Sequence, residues 1–409
     1  MHLFDMTFCS VANTPTPLKV LKRRIAAFIA ALVAAIVVWA TTGQSVGQEY
    51  SILDDSTVIG RSWGLPTPID FTPDRGVGDV SVVAESLVYA KNLELTGSPN
   101  IDGETFIGTL NPIRLNYLAS DQIQLELGGY FGSNYGDDES LDVSEPLVRL
   151  IIQTIPDHYL VAGSLIQSHW MVDALQDDVN NFQDTPETGL QYRVNLPWIK
   201  SDSWIDWRVR ETATRSEQFE GASANQIRLG RLWLDGQFLW SHTGGQKNSM
   251  NQIINNSTGM LGLSLGIISD VNDEYIARVG ANFLATNFES RTEPNSSGQG
   301  IEYWSTVDLL DSDIYQLQLF GRHFDGDQLY SLRGDPLYQF NQYSQLGFNW
   351  VATMTGNLNL EFGFVGQYAD DTLMNTYQIN FVWSNRFRCF NQCCDSHSRL
   401  TGLNFVEQQ

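Results

Sequence analysis

From about residue 80 onward, apolar and polar residues alternate along most of the chain. In the stretch 357–368, Leu358, Leu360, Phe362 and Phe364 fall on one parity, and Asn357, Asn359, Glu361 and Gly363 on the other. A period of two places such sets on opposite faces of a β-strand. The pattern predicts seven strand pairs joined by very short turns: 104–119 with 121–132, 147–155 with 158–169, 187–197 with 203–211, 224–234 with 236–242, 258–268 with 274–287, 301–310 with 312–324, and 342–355 with 357–369. A further strand at 80–92 precedes them and one at 376–387 follows. Ser120-Asp121, Pro156-Asp157, Asp235-Gly236, Asp311-Ser312 and Gly356-Asn357 supply the turn chemistry. Longer polar connections are expected at 133–146, 170–186, 212–223, 243–257, 288–300 and 325–341. No helical-period stretch follows the N-terminal segment, so the expected fold is all-β with about sixteen antiparallel up-and-down strands.

Two architectures fit such strands, and they differ in what the apolar face meets. In a soluble β-sandwich it packs into a core; in an outer-membrane barrel it meets lipid while the polar face lines the interior. The polar face is richly polar throughout: Gln122, Gln124 and Glu126 oppose Ile123, Leu125 and Leu127, and Gln316 and Gln318 oppose Tyr315, Leu317 and Leu319. Aromatics recur near strand ends (Tyr117, Tyr130, Tyr159, Trp170, Trp204, Trp240, Tyr303, Trp304, Phe324, Tyr343, Tyr368 and Trp383), and Tyr and Trp favour the headgroup level of a membrane. Long and short connections alternate, which a stack of sandwiches does not explain. Over roughly residues 80–387 the chain therefore resembles bacterial outer-membrane β-barrels of the porin-like type. That resemblance implies an outer-membrane location, periplasmic termini, and outer-membrane lipid and the barrel-assembly machinery as partners. The aromatic strand 377–387 is similar to the closing strand of such barrels, although here a tail of about twenty residues follows Phe387.

The N-terminus agrees with export. Lys19, Lys22, Arg23 and Arg24 precede the uncharged run from Ile25 to Ala40, and small residues follow at Ser45 and Gly47, the order of a signal peptide. The expected layout is a signal segment at 1–47 (an uncleaved anchor being the alternative), a periplasmic lead-in or partial plug at 48–79, the barrel at 80–387 and a Cys-containing tail at 388–409. The net charge is −23; a nucleic-acid partner is disfavoured, because phosphate binding needs a basic surface. Cys389, Cys393, Cys394 and His397 lie too close together for an ordinary structural zinc site and suit a disulfide better. No metal or cofactor is expected.

If the apolar faces meet lipid, parity sends Arg114, Glu126, Arg193, Trp204, Asp206, Arg208, Arg210 and Arg228 to the interior. Arginine binds carboxylates and phosphates through paired hydrogen bonds. An Arg-lined lumen would favour anions, and the expected function is passive or substrate-selective passage of small hydrophilic solutes, in a homo-oligomer or alone. A closed barrel with a structural or surface-binding role is the alternative, and a soluble secreted sandwich a weaker one. The equal competitor for the arginines is wall-stiffening ion pairing. The acidic connections 133–146 and 170–186 are expected outside the cell. Enzymatic function is not expected: outer-membrane phospholipases and lipid A deacylases carry a nucleophilic Ser two places after a strand His, and the comparable position after His242 is Gly244. Ser241 adjoins His242, but would point to the opposite face.

Overall fold

The structure, a computed structural model, describes residues 76–389 apart from 97–102, 137–142, 168, 178–179, 181–185, 245–252, 270–274, 312–314, 356–357 and 370–371. The signal segment, residues 48–75 of the lead-in, and Cys393, Cys394 and His397 of the tail lie outside the described residues. So do Asp137, Asp138, Glu139, Asp142, Asp178 and Asp184 of the acidic connections.

Sixteen strands among the described residues close into one antiparallel barrel, each paired with its neighbours in sequence. They are β1 (Val80–Thr96), β2 (Glu104–Ser120), β3 (Ile123–Asn134), β4 (Val143–Ile155), β5 (His158–Ser164), β6 (Thr188–Leu196), β7 (Ile199–Val209), β8 (Glu217–Leu229), β9 (Leu232–Gly244), β10 (Ile254–Ser269), β11 (Tyr275–Ser290), β12 (Ser296–Asp311), β13 (Tyr315–Gly326), β14 (Gln342–Thr355), β15 (Leu358–Ala369) and β16 (Thr372–Cys389). Pairing of β1 with β16, from Val80 opposite Cys389 to Thr96 opposite Leu373, closes the wall. Both ends of the barrel chain thus lie on the rim of the short turns.

Burial is inverted relative to a soluble protein. Outward-facing Leu261 and Leu346 are each 70% exposed, and Ile205, Phe283 and Phe381 are exposed with them, whereas Asn116, Gln124, Asn282, Glu302 and Asn380 are fully buried inside. A polar interior and an apolar exterior are stable only where the exterior solvent is lipid. The expected sixteen-strand barrel and its outer-membrane location stand on this arrangement.

Three local expectations need correction. The β8–β9 turn falls at Gly230 and Arg231, where Gly230 has φ +66°, and the expected Asp235-Gly236 turn lies within β9. Asp235 instead faces inward and accepts a hydrogen bond from Gln226 Nε2 at 2.6 Å. Several aromatics assigned to the membrane interfaces, Tyr130, Trp204, Trp304, Phe324 and Tyr343, are buried on the inner face. The third concerns the connection after β5, which does not stay outside.

The chain leaves the wall just after Gly163, whose φ of +96° only glycine adopts freely and whose added Cβ would lie 2.2 Å from Val148 O. Arg149 Nε then donates to Ser164 O at 2.6 Å and its Nη2 to Leu165 O, turning the segment into the barrel. Met171, Val172, Ala174 and Leu175 pack there against Trp204, Leu239, Met260, Leu284 and Trp304 of the wall, together with Leu329, Leu337 and Tyr338 of the β13–β14 connection. That second connection also folds inward, around one 3-10 turn (Pro336–Gln339) capped by Asp335. An apolar plug built from two connections therefore crosses an otherwise polar lumen.

The plug is pinned by His169, which lies outside the spanning strands. Its Nδ1 is 2.9 Å from Asp202 Oδ2, its Nε2 is 2.6 Å from Glu187 Oε2, and its ring stacks on Trp204 at 3.6 Å. Arg193 Nη2 donates to the same Asp202 oxygen at 2.8 Å. Burial pulls the imidazole downward, but the carboxylates of Glu187 and Asp202 overcome it and raise its pKa to about 9.

Two outcomes are expected. Phe362→Arg on the lipid face should cost about 2–4 kcal/mol in refolding titrations into lipid vesicles, while Asn359→Arg on the inner face should be tolerated. For the plug, the folded pKa of His169 lies above the ordinary value near 6.5. Its stabilising contribution is therefore complete below about pH 6.5 and is lost as pH rises through about 9. Hydrogen exchange of the 169–177 peptide, corrected for intrinsic rate, should accelerate across that window in the wild type. In His169→Gln it should be fast throughout.

Candidate active site on the outer wall

The sequence-predicted lumen residues are mostly engaged with acids. Arg114 is buried between Glu85 and Glu126, and Arg149, which sequence parity had not singled out, reaches Glu126 Oε2 at 3.0 Å. Asn116 and Gln124 donate to the other Glu126 oxygen. Arg193 pairs with Asp202, Trp204 carries the His169 ring, and Asp206 accepts from Thr188 N at 2.7 Å. Arg208 lies 3.3 Å from Glu220 and 3.8 Å from Asp206, and Arg228 lies over the Trp233 ring at 5.5 Å. Arg210 departs from expectation: a register shift after Asp206 and the end of β7 at Val209 leave it exposed beyond the strand. Across the plug boundary, Arg322 of β13 binds Asp173 of the infolded segment, and Arg333 of the second connection lies 3.1 Å from Glu220 of β8. Unpaired, each such buried charge would cost several kcal/mol, so this network holds plug and wall together.

The outer face carries a different arrangement. β13 presents Tyr315, Leu317, Leu319 and Gly321 to lipid and then His323 and Asp325; β14 presents Trp350, Phe348 and Leu346 and then Ser344 and Gln342. His323 and Ser344 are directly opposed in the ladder, and Ser344 Oγ lies 2.9 Å from His323 Nδ1. With the hydroxyl donating, the ring proton sits on Nε2, leaving Nδ1 as a base. Asp325, two residues along on the same face, acts on the imidazole electrostatically and accepts from Gln342 Nε2 at 3.2 Å. Tyr303 and Tyr368 flank the pair on the neighbouring strands. The four positions nearest it on β13 and β14 change from apolar (Gly321, Leu346) to polar (Asp325, Gln342), and the side that is polar is the rim opposite the short turns. In an outer-membrane barrel that rim faces the cell exterior, so the pair lies at outer-leaflet headgroup level.

A nucleophile and base within hydrogen-bond reach can carry out acyl transfer. The sequence hid this pair because the residues are 21 positions apart and meet only through the β13–β14 register. His242, the histidine weighed from sequence, faces outward beside Phe219 and Trp240 and bonds Asn255 at 2.7 Å; Ser241 points inward to Glu220, as its parity required. Among the described residues no cluster of three or more His, Cys, Asp or Glu side chains is arranged to hold a metal ion.

The chain is similar in architecture to an anion-selective porin from Comamonas acidovorans (TM-score 0.48, 10% identity, covering 75% of this chain and all of that one). It is also similar to OmpT of Vibrio cholerae in trimer form (0.47, 9%, 75% and 100%) and to OccK11 of Pseudomonas aeruginosa (0.45, 9%, 77% and 98%). No curated protein matches it. The profile of the lipid A 3'-O-deacylase-type family matches residues 72–380, nearly the whole barrel. This overturns the expectation that the protein is not an enzyme, which rested on Gly244 in one local motif. The chain is an outer-membrane β-barrel that belongs to the lipid A 3'-O-deacylase-type family.

Proposed function

We propose that this barrel hydrolyses an acyl ester of an outer-leaflet lipid, with lipid A, the substrate class in its family's description, as the first candidate. The observation that carries the reading is the 2.9 Å contact between Ser344 Oγ and His323 Nδ1 on the lipid-facing wall. Ester linkages of membrane lipids lie at the boundary between chains and headgroups, the height at which this pair sits. In the first step Ser344 Oγ attacks the carbonyl carbon while its proton passes to His323 Nδ1. The resulting imidazolium is stabilised by Asp325. Collapse breaks the bond to the lipid alcohol, which takes the proton from His323. Water then attacks the acyl-serine, His323 accepts its proton, and the fatty acid leaves as Ser344 recovers its hydroxyl hydrogen.

A second reading keeps the lumen in view. Outside the apolar patch that receives the plug the inner face is polar, and the side chains of Arg193 and Arg208 remain 16% and 22% accessible. Solute passage past the plug, with weak anion preference set by these two residues, is the function this supports.

Ser344→Ala and His323→Ala should each lower fatty-acid release from lipid A vesicles at least about 10³-fold, and the double variant should lose little more, because the two act as one unit. Unchanged release, measured by mass spectrometry on protein shown to be folded by its heat-dependent gel mobility, would remove the hydrolase reading. In planar bilayers the second reading expects anion-selective conductance whose selectivity falls in the Arg193→Gln, Arg208→Gln double variant. Absence of conductance would remove it.

A further inference from the structure

A serine is short, and on a lipid-facing wall its neighbours are long. Substrate carbonyl carbon reaches Ser344 Oγ only if the attached chain can lie close against the backbone. Side chains on one face of a strand stand about 7 Å apart, so the outward residues one step membrane-ward of the pair decide whether that is possible. On β13 and β15 these residues are both glycine: Gly321 and Gly366 flank Leu346 in the ladder, diagonal to Ser344 on either side. An ideal Cβ added at Gly366 would find nothing nearer than Leu346 O at 3.8 Å and Asn375 Oδ1 at 3.9 Å. Bare backbone therefore lies on each side of Leu346. Tyr368 bounds the Gly366 side above and Phe364 bounds it below, packed against Phe348 and Tyr377.

We infer that this notch is the acyl-chain subsite of the Ser344 centre: the first methylenes of the scissile chain lie over Gly366, against Leu346, which brings the ester carbonyl onto Ser344 Oγ. The inference rests on the hydrolase reading and adds to it a chain-selective position on the wall. The occupant is a lipid acyl chain because the notch opens into the apolar band of the barrel. The remaining chains of the same lipid stay in the bilayer, so no chain has to be withdrawn from the membrane for the ester to react.

The test compares hydrolysis of p-nitrophenyl palmitate in detergent micelles with that of p-nitrophenyl acetate by wild type, Gly366→Ala, Gly366→Leu and Gly321→Leu. A Cβ added at Gly366 makes only ordinary van der Waals contacts, at 3.8 Å and beyond, and the position carries no left-handed φ. Filling the notch should lower the palmitate-to-acetate rate ratio at least tenfold in Gly366→Leu, with an intermediate fall in Gly366→Ala. Gly321→Leu tests the opposite side should the first position fold poorly. An unchanged ratio in both leucine variants would overturn the subsite. Ser344→Ala separates this from the underlying reading: loss of both hydrolyses with an unchanged ratio in the leucine variants rejects the notch alone, whereas activity that survives Ser344→Ala rejects nucleophile and notch together.

Discussion

A backbone that crosses a bilayer must satisfy its N–H and C=O groups within itself, because the hydrocarbon offers no partners. In this chain the pairing of β1 with β16 meets that demand, and the rest of the structure follows from it. Closure removes the free edges that an open sheet would expose. It also fixes parity around the ring, so that each strand shows one face to lipid and the other to the interior. The inverted burial, with Leu346 exposed and Asn380 buried, is the same constraint seen from the side chains.

Closing a polar face on itself creates a second problem. Side chains such as Glu126 and Asp202 lose bulk water when the lumen is filled, and facing arginines compensate them. The plug makes use of this. Arg149 holds the point where the chain leaves the wall, His169 bridges two carboxylates, and Arg322 grips Asp173. An apolar patch on the inner wall, including Leu239, Met260 and Leu284, then receives Val172 and Leu175. Of the arginines read from sequence, Arg114 and Arg193 pair with buried acids in the same way, whereas Arg149 and Arg322, which fasten the plug, were not among them.

How much of this was legible in the sequence depends on the range of the interaction. Strand existence and facing rest on a period of two within a single segment, and all sixteen strands were readable that way. Turn placement was less secure: Asp235-Gly236 carries a strong local turn signal, yet the register of β8 against β9 places the reversal at Gly230. The infolded segment was illegible because Asp173 and Asp177 give it the composition of a solvated loop. Its partners, Gln237, Asp202 and Arg322, are supplied by strands distant in sequence. The Ser344–His323 pair was hidden for a related reason. A search for His and Ser close together along one strand cannot find two residues that become neighbours across a ladder.

That cross-strand origin has a mechanical consequence. A nucleophile and base on one loop are only as well aligned as the loop is rigid, whereas directly opposed residues on paired strands are held by backbone hydrogen bonds on both sides. β13 and β14 are themselves interior members of a closed ring, paired with β12 and β15. The position of Oγ against Nδ1 is therefore set by the same ladder that satisfies the backbone in lipid. Leu346 and Phe348 on one side of the pair and Gln342 on the other fix its height in the membrane. Closure, parity and register, which the bilayer imposes on any barrel, are sufficient to hold Ser344 Oγ against His323 Nδ1 at the edge of the apolar band.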